Sequence, residues 1–109
     1  GGMRQRAALA RTLMEDRAVV LMDEPFSAVD ALTRLRLQDL AAELLAGRTT
    51  LLVTHDPLEA LRLGHRILVL CGDPAHMSEP LQPAGAVPRP ADDPDLHGLA
   101  AGILRDLAA

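Results

Sequence analysis

Val19-Val20-Leu21-Met22-Asp23-Glu24-Pro25 is the stretch whose reading decides the fold. With Ala18 before it, an apolar run without polar alternation stops abruptly at two adjacent carboxylates. Two similar runs follow, Thr50-Leu51-Leu52-Val53 and Ile67-Leu68-Val69-Leu70-Cys71. Short continuous apolar runs suit strands buried on both faces, as in a parallel sheet covered by helices. Helical patterns separate the three. Met3 to Met14 is rich in Ala, Leu and Arg, good helix formers, with Leu9 and Leu13 one turn apart. Ala31 to Ala46 sets Leu32, Leu35, Leu40 and Leu44 at helical spacing and ends at Gly47. Asp56 is placed to cap a short helix that has Pro57 at its first position and Glu59 in its first turn, and that stops at Gly64. The order helix, strand, helix, strand, helix, strand gives the α/β class.

Beyond Cys71 the composition changes. Six of the eight prolines lie between Pro74 and Pro94, which rules out a central strand or a long helix there. Short edge strands are expected around Met77 to Leu81 and Gly85 to Val87. Asp93 and Pro94 then open a last helix, with Leu96, Leu99, Ile103, Leu104 and Leu107 as one apolar stripe.

The composition excludes several functions. The chain has 109 residues, and all 11 of its basic residues are arginine. Without lysine these residues cannot contain a P-loop of the form G-x-x-x-x-G-K-[ST], whose lysine reaches the β- and γ-phosphates. A formal net charge of −4 argues against nucleic-acid binding through a broad basic surface. Phe26 is the sole aromatic residue, so there is no stacking platform for single strands. One cysteine, Cys71, cannot make an internal disulfide, which fits a reducing compartment. No apolar run reaches the ~18 residues of a membrane span. No His/Cys spacing suggests zinc.

The candidate chemistry lies at the ends of the apolar runs, where open α/β sheets bind ligands. Asp23 could serve Mg²⁺, which prefers oxygen ligands and keeps several waters. Glu24 could orient and polarise an attacking water. By themselves these residues also fit a plain polar turn leaving a strand. His55 ends the second run and could hydrogen-bond a phosphate oxygen, although a histidine there also fits a structural role. Asp30 is explained locally as the cap of the Ala31 helix. Gly1 and Gly2 open the chain ahead of a helix, where backbone N–H groups and the helix dipole favour an anion. Two such glycines also fit a trivial loop.

Taken together these pieces resemble the C-terminal half of an ABC-transporter ATP-binding subunit, a P-loop NTPase fold of which a partial parallel sheet flanked by helices is expected here. Gly1-Gly2-Met3-Arg4-Gln5-Arg6 and the helix behind it resemble the end of the signature motif, with Met3 in place of the usual glutamine. Val19 to Glu24 resembles Walker B with its catalytic glutamate. Ser27-Ala28-Val29-Asp30 resembles the D-loop, and His55 matches the switch histidine. The four motifs stand in the family's order. Asp23 to Asp30 and Thr54 to Ala60 are similar to import-type subunits. Pro88-Arg89-Pro90, Asp92-Asp93-Pro94 and the short last helix look like the nitrate/sulfonate/taurine group, which includes pyrimidine-precursor importers.

The resemblance implies ATP and Mg²⁺ as cofactors and a head-to-tail homodimer of ATP-binding subunits. Glu24 and His55 would be catalytic and Asp23 would serve the metal. Gly1, Gly2, Met3 and Gln5 would contact ATP on the partner's P-loop, and Asp30 would cross the interface. Transmembrane permease subunits, and indirectly a substrate-binding protein, would be partners at the cytoplasmic face of the membrane, with no nucleic acid involved. Residues 1–72 would be the half-domain, 73–93 a proline-rich segment and 94–109 a terminal helix. Beginning inside the signature motif, the chain is expected to be inactive alone, with a sheet edge and apolar helix faces exposed. The alternatives are an SMC-like ATPase head acting on DNA and a non-catalytic α/β interaction module.

Overall fold

In the computed structural model, which describes residues 2–108, the run around Leu21 is a strand that pairs with the run around Leu51. The chain packs as two compact units, 1–55 and 56–109. The first contains α1 (Gly2–Met14), β1 (Val19–Asp23), α2 (Ala31–Leu44) and β2 (Thr49–Val53). β1 and β2 are parallel, in register from Val19 opposite Thr49 to Asp23 opposite Val53. Parallel neighbours need a crossover, and α2 supplies it. Leu9, Leu13, Val20, Met22, Phe26, Val29 and Ala41 are the buried apolar residues of this unit. Arg48 ties the end of α1 to the approach of β2, donating to the carbonyls of Glu15 at 2.9 Å and Leu13 at 3.2 Å. A cation there also suits the negative end of the helix dipole.

Burial on both strand faces does not hold within these residues. Val20 and Met22 are buried, but Leu21 is 72% exposed and its partner Leu51 is 59% exposed. The pleat sends alternate side chains to opposite faces. The described residues cover only the face of Val20 and Met22. α2 departs from expectation too. It buries Gln38 and Ala41 and leaves Leu32, Leu40 and Leu44 exposed. Its leucines lie on more than one side, so their spacing does not select the packed face.

The second unit contains α3 (Pro57–Leu63), β3 (Leu70–Cys71), β4 (His76–Met77) and α4 (Pro94–Ala108). The Asp56 side chain caps α3, accepting from the N–H groups of Leu58 at 3.0 Å and Glu59 at 3.4 Å. Leu61, Ile67, Val69, Leu96 and Ile103 form its core. The third apolar run is not a parallel strand of the first sheet. β3 pairs antiparallel with β4, and Ile67 bridges Leu81 in the same sense. The chain reverses through Gly72, whose φ of +89° needs glycine. Ile67 and Val69 face the core while Leu68 and Leu70 are exposed, as expected of an antiparallel ribbon covered on one side. The edge strand expected at Met77 to Leu81 is present as β4 and the Leu81 bridge, whereas 85–87 form no strand. α4 buries Leu96 and Ile103 but exposes Leu104 and Leu107 of its stripe.

Candidate functional site

At the C-terminal end of the parallel pair, the ladder runs one step past β1: the Glu24 N–H donates to the Val53 carbonyl at 2.8 Å. Glu24 then turns the chain, with φ of +49°, a left-handed conformation that costs a non-glycine residue roughly 1–2 kcal/mol. Such a backbone persists only where its surroundings enforce it. Here the turn is held from both flanking helices. From α1, the Gln5 carboxamide donates to the Glu24 carbonyl at 2.9 Å and to Ser27 Oγ at 3.0 Å, and its oxygen accepts from the Ala28 N–H at 2.6 Å. From α2, Arg34 donates to the carbonyls of Phe26 at 3.2 Å and Val29 at 2.9 Å. Phe26 is fully buried and anchors the loop's centre.

The turn brings the Glu24 carboxylate to the end of β2, where Oε1 lies 2.7 Å from His55 Nδ1. The His55 side chain is 80% exposed and that of Glu24 32%, so the pair opens to solvent on the imidazole side. An exposed pair of this kind contributes little to stability; what it does is fix orientation. Asp23 is exposed at the last position of β1, beside the pair. An open groove of about 560 Å³ next to them is lined by residues that include Arg4, Gln5, Thr12, Asp23 and Glu24. Among the described residues there is no cluster of three or more His, Cys, Asp or Glu side chains able to hold a metal. A single carboxylate at a strand end fits Mg²⁺ held chiefly by phosphates and waters, the usual way this ion binds with nucleotides.

The other site residues read from the sequence fall as follows. Asp30 is the N-cap of α2, accepting from the Thr33 N–H at 2.9 Å and the Thr33 hydroxyl at 3.0 Å. These two bonds, the backbone one first, hold its carboxyl below the ordinary value of 3.8. Gly2 approaches the loop closely, and a Cβ on it would stand 3.1 Å from the Ala28 carbonyl oxygen. Met3 is exposed at the start of α1. Gly1 lies outside the described residues. The structure thus gathers Gln5, Asp23, Glu24 and His55 at one end of the sheet. Arg34 was missed. It stands one turn into α2, near the helix end whose dipole disfavours cations, and that misplaced charge was the available signal.

Comparison with known proteins bears on this site. No protein-family model matches the chain. Over 98% of its length it is 50% identical to an uncharacterized ABC transporter ATP-binding protein of Haemophilus influenzae, and it spans 46% of that protein. An aliphatic sulfonates import ATP-binding protein of Pseudomonas syringae pv. syringae is likewise 50% identical, with the same two coverages. The chain is a relative of ABC transporter ATP-binding proteins. Another relative, an aliphatic sulfonates import ATP-binding protein of Burkholderia lata, is 46% identical over 95% of this chain and 39% of its own length. The chain therefore spans less than half the length of these curated relatives.

Proposed function

We propose that these residues form the C-terminal half of the ATP-hydrolysing subunit of an ABC-type importer. The observation that carries this reading is the 2.7 Å contact between Glu24 and His55 at the C-terminal ends of two parallel strands, in a relative of ABC ATP-binding proteins. Glu24 orients the water that attacks the γ-phosphate and takes up its proton, while His55 holds both the Glu24 carboxylate and the phosphate being cleaved. Asp23 is the protein's ligand for Mg²⁺, which when bound neutralises charge on the phosphates. Gly1, Gly2 and Met3 face the γ-phosphate of ATP held on the P-loop of a second subunit, and Asp30 lies at the interface between the two.

The solute is a small molecule of the nitrate, sulfonate, taurine or pyrimidine-precursor kind, carried by transmembrane permease subunits that a binding protein supplies. The names of the sulfonate-import relatives support this class. This part attaches to the membrane's cytoplasmic face through the permease, a reading supported by the import ATP-binding relatives. No helix among the described residues is long and apolar enough to cross a membrane. The 109 residues contain no lysine, so alone they neither hold ATP tightly nor turn it over. In a subunit of the relatives' full length, Glu24→Gln is expected to lower magnesium-ATP turnover about 10²- to 10⁴-fold. Turnover that survives the substitution would remove Glu24 from this role.

A further inference from the structure

We propose that Gln5 is a positioning residue for Glu24, its carboxamide locking the 24–28 turn in the conformation that presents the Glu24 carboxylate to His55. The inference rests on the reading of Glu24 as the water-positioning base and assigns Gln5 a task other than touching nucleotide.

The first support is chemical matching. The Ala28 N–H can only donate and the Glu24 carbonyl can only accept, so the amide has one orientation that serves both. In that orientation both Nε2 hydrogens have acceptors, the Glu24 carbonyl and Ser27 Oγ, and Oε1 has a donor. The second is what the amide holds. The Glu24 carbonyl belongs to the residue at φ +49°, and Ser27 Oγ donates to the same carbonyl at 3.2 Å. Gln5 thus joins the left-handed residue to the far side of its own turn, across 19 to 23 positions of sequence. The third is the close approach of α1 to the same loop, where a Cβ on Gly2 would make a tight 3.1 Å contact with the Ala28 carbonyl oxygen. The first turn of α1 and the Glu24 turn therefore move together, and a displacement of α1 reaches the carboxylate through this amide.

Two substitutions separate this role from nucleotide contact. Gln5→Leu removes every polar bond. Gln5→Glu keeps the size and the acceptor for Ala28 but puts a carboxylate against the Glu24 carbonyl. In the 109-residue chain, without nucleotide, the Ala28 amide is expected to exchange faster in Gln5→Leu. In both variants the His55 ring ¹⁵N signals are expected to move to the positions they take in Glu24→Gln. Signals that stay at the wild-type positions in both variants overturn the proposal. In the full-length subunit, kcat for magnesium-ATP is expected to fall on the order of ten- to a hundredfold, the cost of misplacing a reacting group. KM should stay within about twofold. A raised KM with kcat kept would make Gln5 a nucleotide contact and overturn the proposal. If the wild-type full-length subunit hydrolyses no ATP, the reading of Glu24 as base fails, and the His55 spectrum alone decides whether Gln5 holds the turn.

Discussion

Arg89, between Pro88 and Pro90, is only 3% exposed. Its guanidinium donates to main-chain carbonyls: Ala84 at 3.0 Å, Leu61 at 2.8 Å, Gly64 at 2.6 Å and Pro83 at 2.8 Å. Leu61 and Gly64 are at the C-terminal end of α3, where carbonyls lack helical partners and the dipole favours a cation. Arg62 adds a reciprocal pair: its carbonyl accepts from the Arg89 N–H at 2.9 Å, and its side-chain Nε donates to the Arg89 carbonyl at 2.9 Å. Burial lowers the Arg89 pKa, yet a guanidinium stays protonated. Arg89→Met strips the donors from several carbonyls at once and is expected to destabilise the chain by about 3–5 kcal/mol in urea unfolding. Arg89→Lys should recover little, because an ammonium lacks the planar fork. A loss below ~1 kcal/mol, the size of an ordinary surface change, would show that the carbonyls find water instead. The sequence marks the proline-rich segment but gives no sign of this task. Its acceptors are backbone carbonyls, which every residue type supplies, so no side-chain pattern announces them. Gln5 is the same case: its position was legible from the signature-like motif, its main-chain partners were not.

At the scale of elements, the legible features were those written locally. Asp56 with Pro57 and Asp93 with Pro94 place the starts of α3 and α4, because a cap is satisfied within three residues of itself. The pairing of the third apolar run was not legible, since a five-residue apolar run serves a parallel or an antiparallel strand equally. What decides it is the reversal at Gly72, which returns the chain so that the Ser78 N–H donates to the Val69 carbonyl at 2.8 Å. Asp30 shows a local signal with a measurable consequence. Its capping bonds favour the carboxylate, so its folded pKa lies below the ordinary 3.8. A carboxyl depressed in this way stabilises the fold above the unfolded value, and the contribution is lost as pH falls through the folded one. The Thr33 amide proton shift should therefore titrate with a midpoint below 3.8. In Asp30→Asn, which keeps an accepting oxygen but carries no charge, this shift should be flat over the same range. A wild-type midpoint at or above 3.8 would mean that the cap is not formed in solution.

For the whole molecule, the conflict between the apolar runs and the exposed strand face is informative. Val19, Leu21, Leu51 and Val53 alternate with the buried positions of β1 and the half-buried positions of β2 and are all exposed. Met3, Leu32, Leu40 and Leu44 add apolar surface on the helices of the same unit. Exposed apolar surface of this kind associates with whatever apolar surface it meets, and an uncovered parallel pair also offers unpaired strand edges. The expected behaviour of the 109-residue chain is reversible, concentration-dependent self-association, visible as a rising sedimentation coefficient. Replacing Leu21 and Leu51 together by Gln should weaken that association without unfolding the chain, because both side chains already face water. Supplying in cis the remaining length of a relative should abolish this association in the absence of nucleotide, and in that longer chain the same two substitutions should become destabilising, by ~2–4 kcal/mol in all, as apolar burial on the second face is lost. A chain that stays monomeric at high concentration while binding no hydrophobic dye would mean that the face of Leu21 and Leu51 is covered from within these residues. The continuous apolar runs would then have described this chain's own packing correctly, and the exposed face would be wrong.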